Sequence, residues 1–322
     1  MSTIQQAAKR LEELRRAGVA ISWDNETPEA AAEQAMLAAS AASAESAAEA
    51  SQPAAAAPVA PARPQRAPSG RQSELVNLDL VQLAAAGYLV PGHESMQTGE
   101  EFRAIKRPLI RNAQGRSAAP IHHANLIVVT SALPGEGKTY FSMNLALSIA
   151  MELDASALLV EADILKPAVM SRLGMAPRRG LLDILTDEGL DPSEVMLRTN
   201  VPKFSLLPAG SRMVHTTELL ASTRMGEFLD ELATRYSDRI IVFDAPPLLM
   251  TSEAQVLASR AGQVVVLAEA GRTPAAAFSQ AMAKVESCPV VMTVLNKSKE
   301  SEHGVVYGYG GDFVPTEIQG AA

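Results

Sequence analysis

One stretch of this chain limits its fold more than any other. The apolar run LIVVTS (126–131) leads directly into ALPGEGKT (132–139), and a helical pattern, YFSMNLALSIA (140–150), follows without a break. An apolar run this continuous reads as a strand buried on both faces, which places it inside a sheet with helices on either side. The turn carries Gly135 and Gly137, so its backbone N–H groups can close around an anion's oxygens. The helix N-terminus adds free donors and a favourable dipole. Lys138 supplies a point charge and Thr139 a hydroxyl in the first helical turn. This is a phosphate-binding loop, with Ala132 where the usual first Gly stands. Lys138 is expected at the β/γ-phosphates of a nucleotide and Thr139 on Mg²⁺. The expected binding set is Pro134, Gly135, Glu136, Gly137, Lys138, Thr139 and Tyr140.

Five more apolar runs follow between helical patterns: ALLVEA, FSLLPA, RIIVFDA, QVVVLAE and PVVMTVLN. Strands alternating with helices predict an α/β fold with a doubly wound, mainly parallel sheet flanked by helices. The predicted domain spans residues 125–297, and Cys288 is expected at the start of a buried strand. The residues before it divide into three parts. Residues 1–25 hold an amphipathic helix over 3–17, with Ile4, Ala7, Ala8, Leu11 and Leu14 on one face. Residues 26–72, rich in Ala, Pro, Ser and Gln, are expected to be a disordered linker. Residues 73–124 read as a short helical lead-in, with a helix from Glu100 to Lys106 that Pro108 ends or kinks. Residues 298–322 are expected to form a flexible tail.

Composition excludes several classes. Aromatic residues are 4% of the 322, too few for a base-stacking surface, and the net charge of −8 attracts neither DNA nor anionic lipid. No apolar segment approaches the roughly 20 residues of a membrane span. The N-terminus MSTIQQAAKRLEELRRAG lacks the apolar region of a secretory signal, so a cytoplasmic protein is expected.

Two acidic motifs complement the loop. In RIIVFDAPPLL an apolar strand delivers Asp244 to its C-terminal edge, the position from which a carboxylate holds Mg²⁺. In ALLVEADILKP, Glu161 and Asp163 emerge together at the end of another strand, where two carboxylates repel unless a cation neutralises them. Ligands bind at such strand ends in open α/β sheets. Thr139, Asp163 and Asp244 are the expected metal ligands.

PGEGK, the acid pair after an apolar strand and the apolar–Asp–x–Pro–Pro run, in this order, resemble the bacterial tyrosine kinases of capsule and exopolysaccharide systems. The resemblance spans residues 99–311 and includes LLPAG, ELLAS and GRTP. KRLEELRRAG and EEFRAIKRPL resemble, more narrowly, the stand-alone autokinases of exosortase-linked polysaccharide systems. The resemblance implies Mg·ATP-dependent phosphorylation of the chain's own tyrosines, with Lys138, Glu161, Asp163 and Asp244 catalytic. It makes Glu161 the base that accepts the tyrosine proton, although the family usually has Asp there, and the family's usual Arg is replaced by Leu165. It implies packing of the helix bearing Glu100, Arg103 and Lys106 on a neighbouring subunit. It also implies a homo-oligomer and recruitment to the inner membrane by the cytoplasmic part of a chain-length determinant protein.

The tail SKESEHGVVYGYGGDF carries Tyr307 and Tyr309, the expected phosphoacceptors. Tyr307 follows Asn296 by eleven residues and so lies within roughly 35–40 Å of it, enough to reach a nucleotide site. Two alternatives stand beside the autokinase: an ATPase switch of the MinD/ParA class and a non-catalytic adaptor.

Overall fold

The computed structural model describes residues 73–93, 96–211 and 216–298. The expected N-terminal helix, the linker and the tail with Tyr307 and Tyr309 lie outside the described residues. The strands form one eight-stranded sheet in the order β1-β4-β5-β3-β6-β2-β7-β8. They are β1 (Glu74–Val76), β2 (Leu126–Ser131), β3 (Ser156–Glu161), β4 (Leu197–Thr199), β5 (Phe204–Leu207), β6 (Arg239–Asp244), β7 (Gln263–Glu269) and β8 (Val290–Asn296). All neighbouring pairs are parallel except β4 with β5. The central strands β2, β3, β6 and β7 are buried over most of their length, as their unbroken apolar runs require.

Two apolar layers sandwich the sheet. One face is covered by α1 (Leu80–Ala85), α2 (Met96–Ala113), α3 (Lys138–Ala150) and α4 (Val169–Arg172). The other carries α5 (Leu181–Thr186), α6 (Pro192–Val195), α7 (Thr216–Leu220), α8 (Thr223–Arg235), α9 (Glu253–Arg260) and α10 (Ala275–Ala283). Helix α3 is buried on nearly every side, so it is apolar all round rather than amphipathic.

The structure corrects the sequence reading in four places. Residues 73–124 are not a separate lead-in. β1 extends the sheet, Val76, Leu83, Leu89, Phe102 and Leu109 enter its core, and Asn144 Oδ1 accepts from Leu89 N at 2.7 Å. The helix predicted to Lys106 runs on through Pro108 to Ala113. Pro108 removes one intrahelical donor, but Leu109 is fully buried and Gln263 Nε2 donates to its carbonyl at 3.0 Å, which holds the later turns. Lys106, expected on the helix face that packs on a neighbouring subunit, points inward. Its ammonium donates to Ser148 O at 2.6 Å and pairs with Glu152 at 2.7 Å, while Arg103 pairs with Glu100 on the outside. Cys288 is buried just ahead of β8, but β8 itself is a half-exposed edge strand.

Candidate nucleotide site

The C-terminal ends of β2, β3 and β6 meet on one edge of the sheet, with Glu161 paired in register to Asp244. The loop after β2 turns through Gly135 (φ +86°) and Gly137 (φ +95°), both left-handed. Gly137 precedes α3 with no side chain capping the helix, which leaves the first-turn N–H groups available to a ligand. A Cβ at Gly137 would stand 2.3 Å from Asn296 Nδ2, so glycine is required there by contact as well as by backbone.

A cavity of about 330 Å³ opens beside this loop. Gly135, Gly137, Lys138, Thr139 and Tyr140 form one wall, and Asp163, Lys166, Pro246, Pro247 and Met250 face it. Lys138 is almost fully buried. Burial pulls its pKa down, against the opposing pull of Asp163, Asp244 and Glu136.

Asp244 is fully buried beside the Thr139 and Ser142 hydroxyls, but no hydrogen bond of ordinary geometry reaches either carboxylate oxygen among the described residues. Burial pushes its pKa up to about 7, opposed by the Thr139 hydroxyl and the Lys138 ammonium and assisted by Asp163. A buried carboxylate left unpaired beside a lysine and a threonine hydroxyl is poorly satisfied in the nucleotide-free protein. A divalent cation would satisfy it, so the residues present fit Mg²⁺. Asp163 faces the cavity, accepts from Lys166 N at 3.1 Å and is raised by burial.

Three expected residues sit differently. Glu161 does not line the cavity. It is 2% exposed, and its two oxygens accept from Val169 N at 2.7 Å and Ala209 N at 3.2 Å. Burial raises its pKa, and these backbone N–H groups oppose the rise. In the nucleotide-free protein Glu161 is engaged as a brace, its oxygens accepting from the loops around α4 and β5. Glu161→Ala is therefore expected to destabilise the fold by about 1–3 kcal/mol per orphaned donor. Thermal denaturation checks this, and an unchanged melting temperature would show that water replaces the brace.

Glu136 also turns away from the cavity. It accepts from Leu133 N at 2.8 Å and from the Thr273 hydroxyl, so it shapes the loop from behind. Tyr140 lines the cavity, yet its hydroxyl donates to Gly87 O at 2.6 Å and its ring packs 5.2 Å from Tyr88.

Sequence reasoning missed the braces that come from the far end of the chain. Asn296 Nδ2 donates to Glu136 O at 2.8 Å, and Lys297 Nζ donates to Gly135 O at 2.8 Å while pairing with Glu269 at 3.0 Å. Their position at the C-terminal end of β8, on the edge that carries the loop, was the available signal.

Sheet order, glycine loop and buried Asp244 define a P-loop nucleotide-binding protein. Comparison with known proteins narrows this. The chain is 29% identical over 187 residues to the tyrosine-protein kinase YwqD of Bacillus subtilis, covering 58% of this chain and 77% of YwqD. It is 30% identical over 187 residues to EpsB of Ralstonia nicotianae, of which it spans 24%. The crystal structure of the VpsO kinase domain superposes with a TM-score of 0.55 and 28% identity, covering 63% of this chain and 96% of that domain. No protein-family profile matches the chain. In sequence and in fold the chain is thus similar to bacterial tyrosine-protein kinases.

Proposed function

We propose that this chain is an ATP-dependent protein-tyrosine autokinase that phosphorylates Tyr307 and Tyr309 and thereby regulates exopolysaccharide synthesis and export. The observation that carries the reading is the cavity's mixed lining. Lys138, Thr139 and the loop N–H groups form a polar wall for phosphates, and Pro246, Pro247 and Met250 offer an apolar wall to an aromatic ring.

Mg²⁺ would be held by Thr139, Asp163 and Asp244 and would supply charge neutralisation at the β- and γ-phosphates. The chain's own residues then do three things. The loop amides and Lys138 hold the phosphates and the negative charge of the transition state. The apolar wall orients the phenol ring. Asp163 lines the cavity, so one of its oxygens would hold the cation and the other would take the phenol proton. As the phenol oxygen bonds to the γ-phosphorus, the bridging P–O bond breaks and ADP leaves.

No helix among the described residues is long and apolar enough to cross a membrane. We assign recruitment to the inner membrane to the cytoplasmic part of a chain-length protein, with residues 1–25 on their linker as the tether. A linker raises effective concentration without fixing geometry. Purified protein given Mg·ATP should acquire phosphotyrosine, read by immunoblot and mapped by mass spectrometry. ATP turnover without phosphotyrosine would instead mark an ATPase switch, and neither activity would mark an adaptor.

A further inference from the structure

The last strand is left open. β8 pairs with β7 on one side and with no strand among the described residues on the other. None of its seven residues is fully buried, and VVMTVLN contains no charge and no proline. Proteins ordinarily protect such an edge with charges, proline, a bulge or a covering segment. The helix beside it is equally bare. α10, AAAFSQAMA, has no charged residue and buries only Ala281. Between them lies a second cavity of about 330 Å³, lined by Ala275, Phe278, Thr293 and Leu295, with Glu269 and Thr273 at one end. Leu295 is 63% exposed.

We propose that this groove and the β8 edge are the resting site of the chain's own C-terminal segment, with Val305–Tyr309 added antiparallel to β8. Three observations select this occupant. The chain leaves β8 at the groove's mouth, since Lys297, the first residue after the strand, pairs with Glu269 of the groove lining. Eight residues, 297–304, separate β8 from Val305, enough to reverse direction. The segment VVYGY places residues 305, 307 and 309 on one strand face, so a valine and two tyrosine rings would meet the groove together. A second copy must bind from bulk solution, whereas the tethered segment acts at roughly millimolar effective concentration.

The groove also touches the nucleotide site's support. Thr273 Oγ1 accepts from Glu269 N at 2.7 Å and donates to Glu136 behind the phosphate loop. A docked tail would thus press on the segment that braces this loop. The proposal concerns where the tail rests, so it stands apart from whether the tail is phosphorylated.

Hydrogen exchange on the full, phosphatase-treated chain tests it. The outward amides of Val290–Asn296 should exchange at least about tenfold slower in the parent than in a full chain carrying V305S, Y307S and Y309S. Leu295→Lys, at an exposed position, should release the same amides, with β2 and β6 unchanged as the control for folding. Both effects should be independent of protein concentration. Equal exchange in the parent and the tail variant would overturn the proposal. Protection that fades on dilution would overturn it in favour of a second copy, and protection insensitive to Leu295→Lys would overturn the groove as the site.

Discussion

Lys138→Met is expected to lower phosphorylation of Tyr307 and Tyr309 by at least about 10²–10³-fold, the scale on which removal of one transition-state-stabilising group acts. Lys138 is almost fully buried at the helix end of the phosphate loop, with Asp163, Asp244 and Glu136 as the charges that favour its protonated form. Methionine keeps the length and apolar stem but removes the ammonium. The β/γ-phosphates then lose their fixed positive charge, both in binding and as the phosphoryl group moves. Fluorescent-nucleotide titration and a phosphotyrosine blot measure the two losses separately. The variant also takes a countercharge from Asp163 and Asp244, so a melting curve is run beside the assays to confirm that the fold is retained. Undiminished phosphotyrosine in this variant would sink the proposed mechanism, since another kinase would then be acting on the tail.

What could be read from sequence divides along physical lines. The P-loop, Asp244 and Asp163 were legible because each is local: an apolar strand, then a residue whose chemistry suits the strand's end. The parallel sheet was legible for the same reason. β1 was not, because three residues, ELV, carry no periodicity, and their strand exists only through pairing with β4. The run of α2 through Pro108 was misread because tertiary anchoring of Leu109 outweighs the local cost of proline. The bracing contacts of Glu161 were hidden for a third reason. Its partner Ala209 is 48 residues away, and nothing in ALLVEAD indicates which way a longer side chain turns. The bracing of Glu136 by Thr273 spans 137 residues and is likewise a product of the fold.

Asp244→Asn is expected to separate stability from nucleotide binding and to move them in opposite directions. In the nucleotide-free protein Asp244 is fully buried and unpaired, and burial raises its pKa from 3.8 to about 7. Between those values the folded state holds a proton that the unfolded state has released. Stability therefore falls as pH rises from about 4 to 7, and levels off above that. A shift of this size corresponds to about 4 kcal/mol at neutral pH, as an order of magnitude. Asparagine cannot ionise, so the slope should flatten and the metal-free melting temperature at pH 7.5 should rise by a few degrees. Mg·ATP should stabilise the parent strongly, because a cation held by Thr139, Asp163 and Asp244 would pair with the buried Asp244 carboxylate. The variant should gain little, with phosphorylation falling in parallel. Melting curves from pH 4.5 to 8, with and without Mg·ATP, measure both effects. A slope that persists in Asp244→Asn would place the titration on Asp163 or Glu161, which burial also raises. Full retention of Mg·ATP stabilisation would remove Asp244 from the metal site.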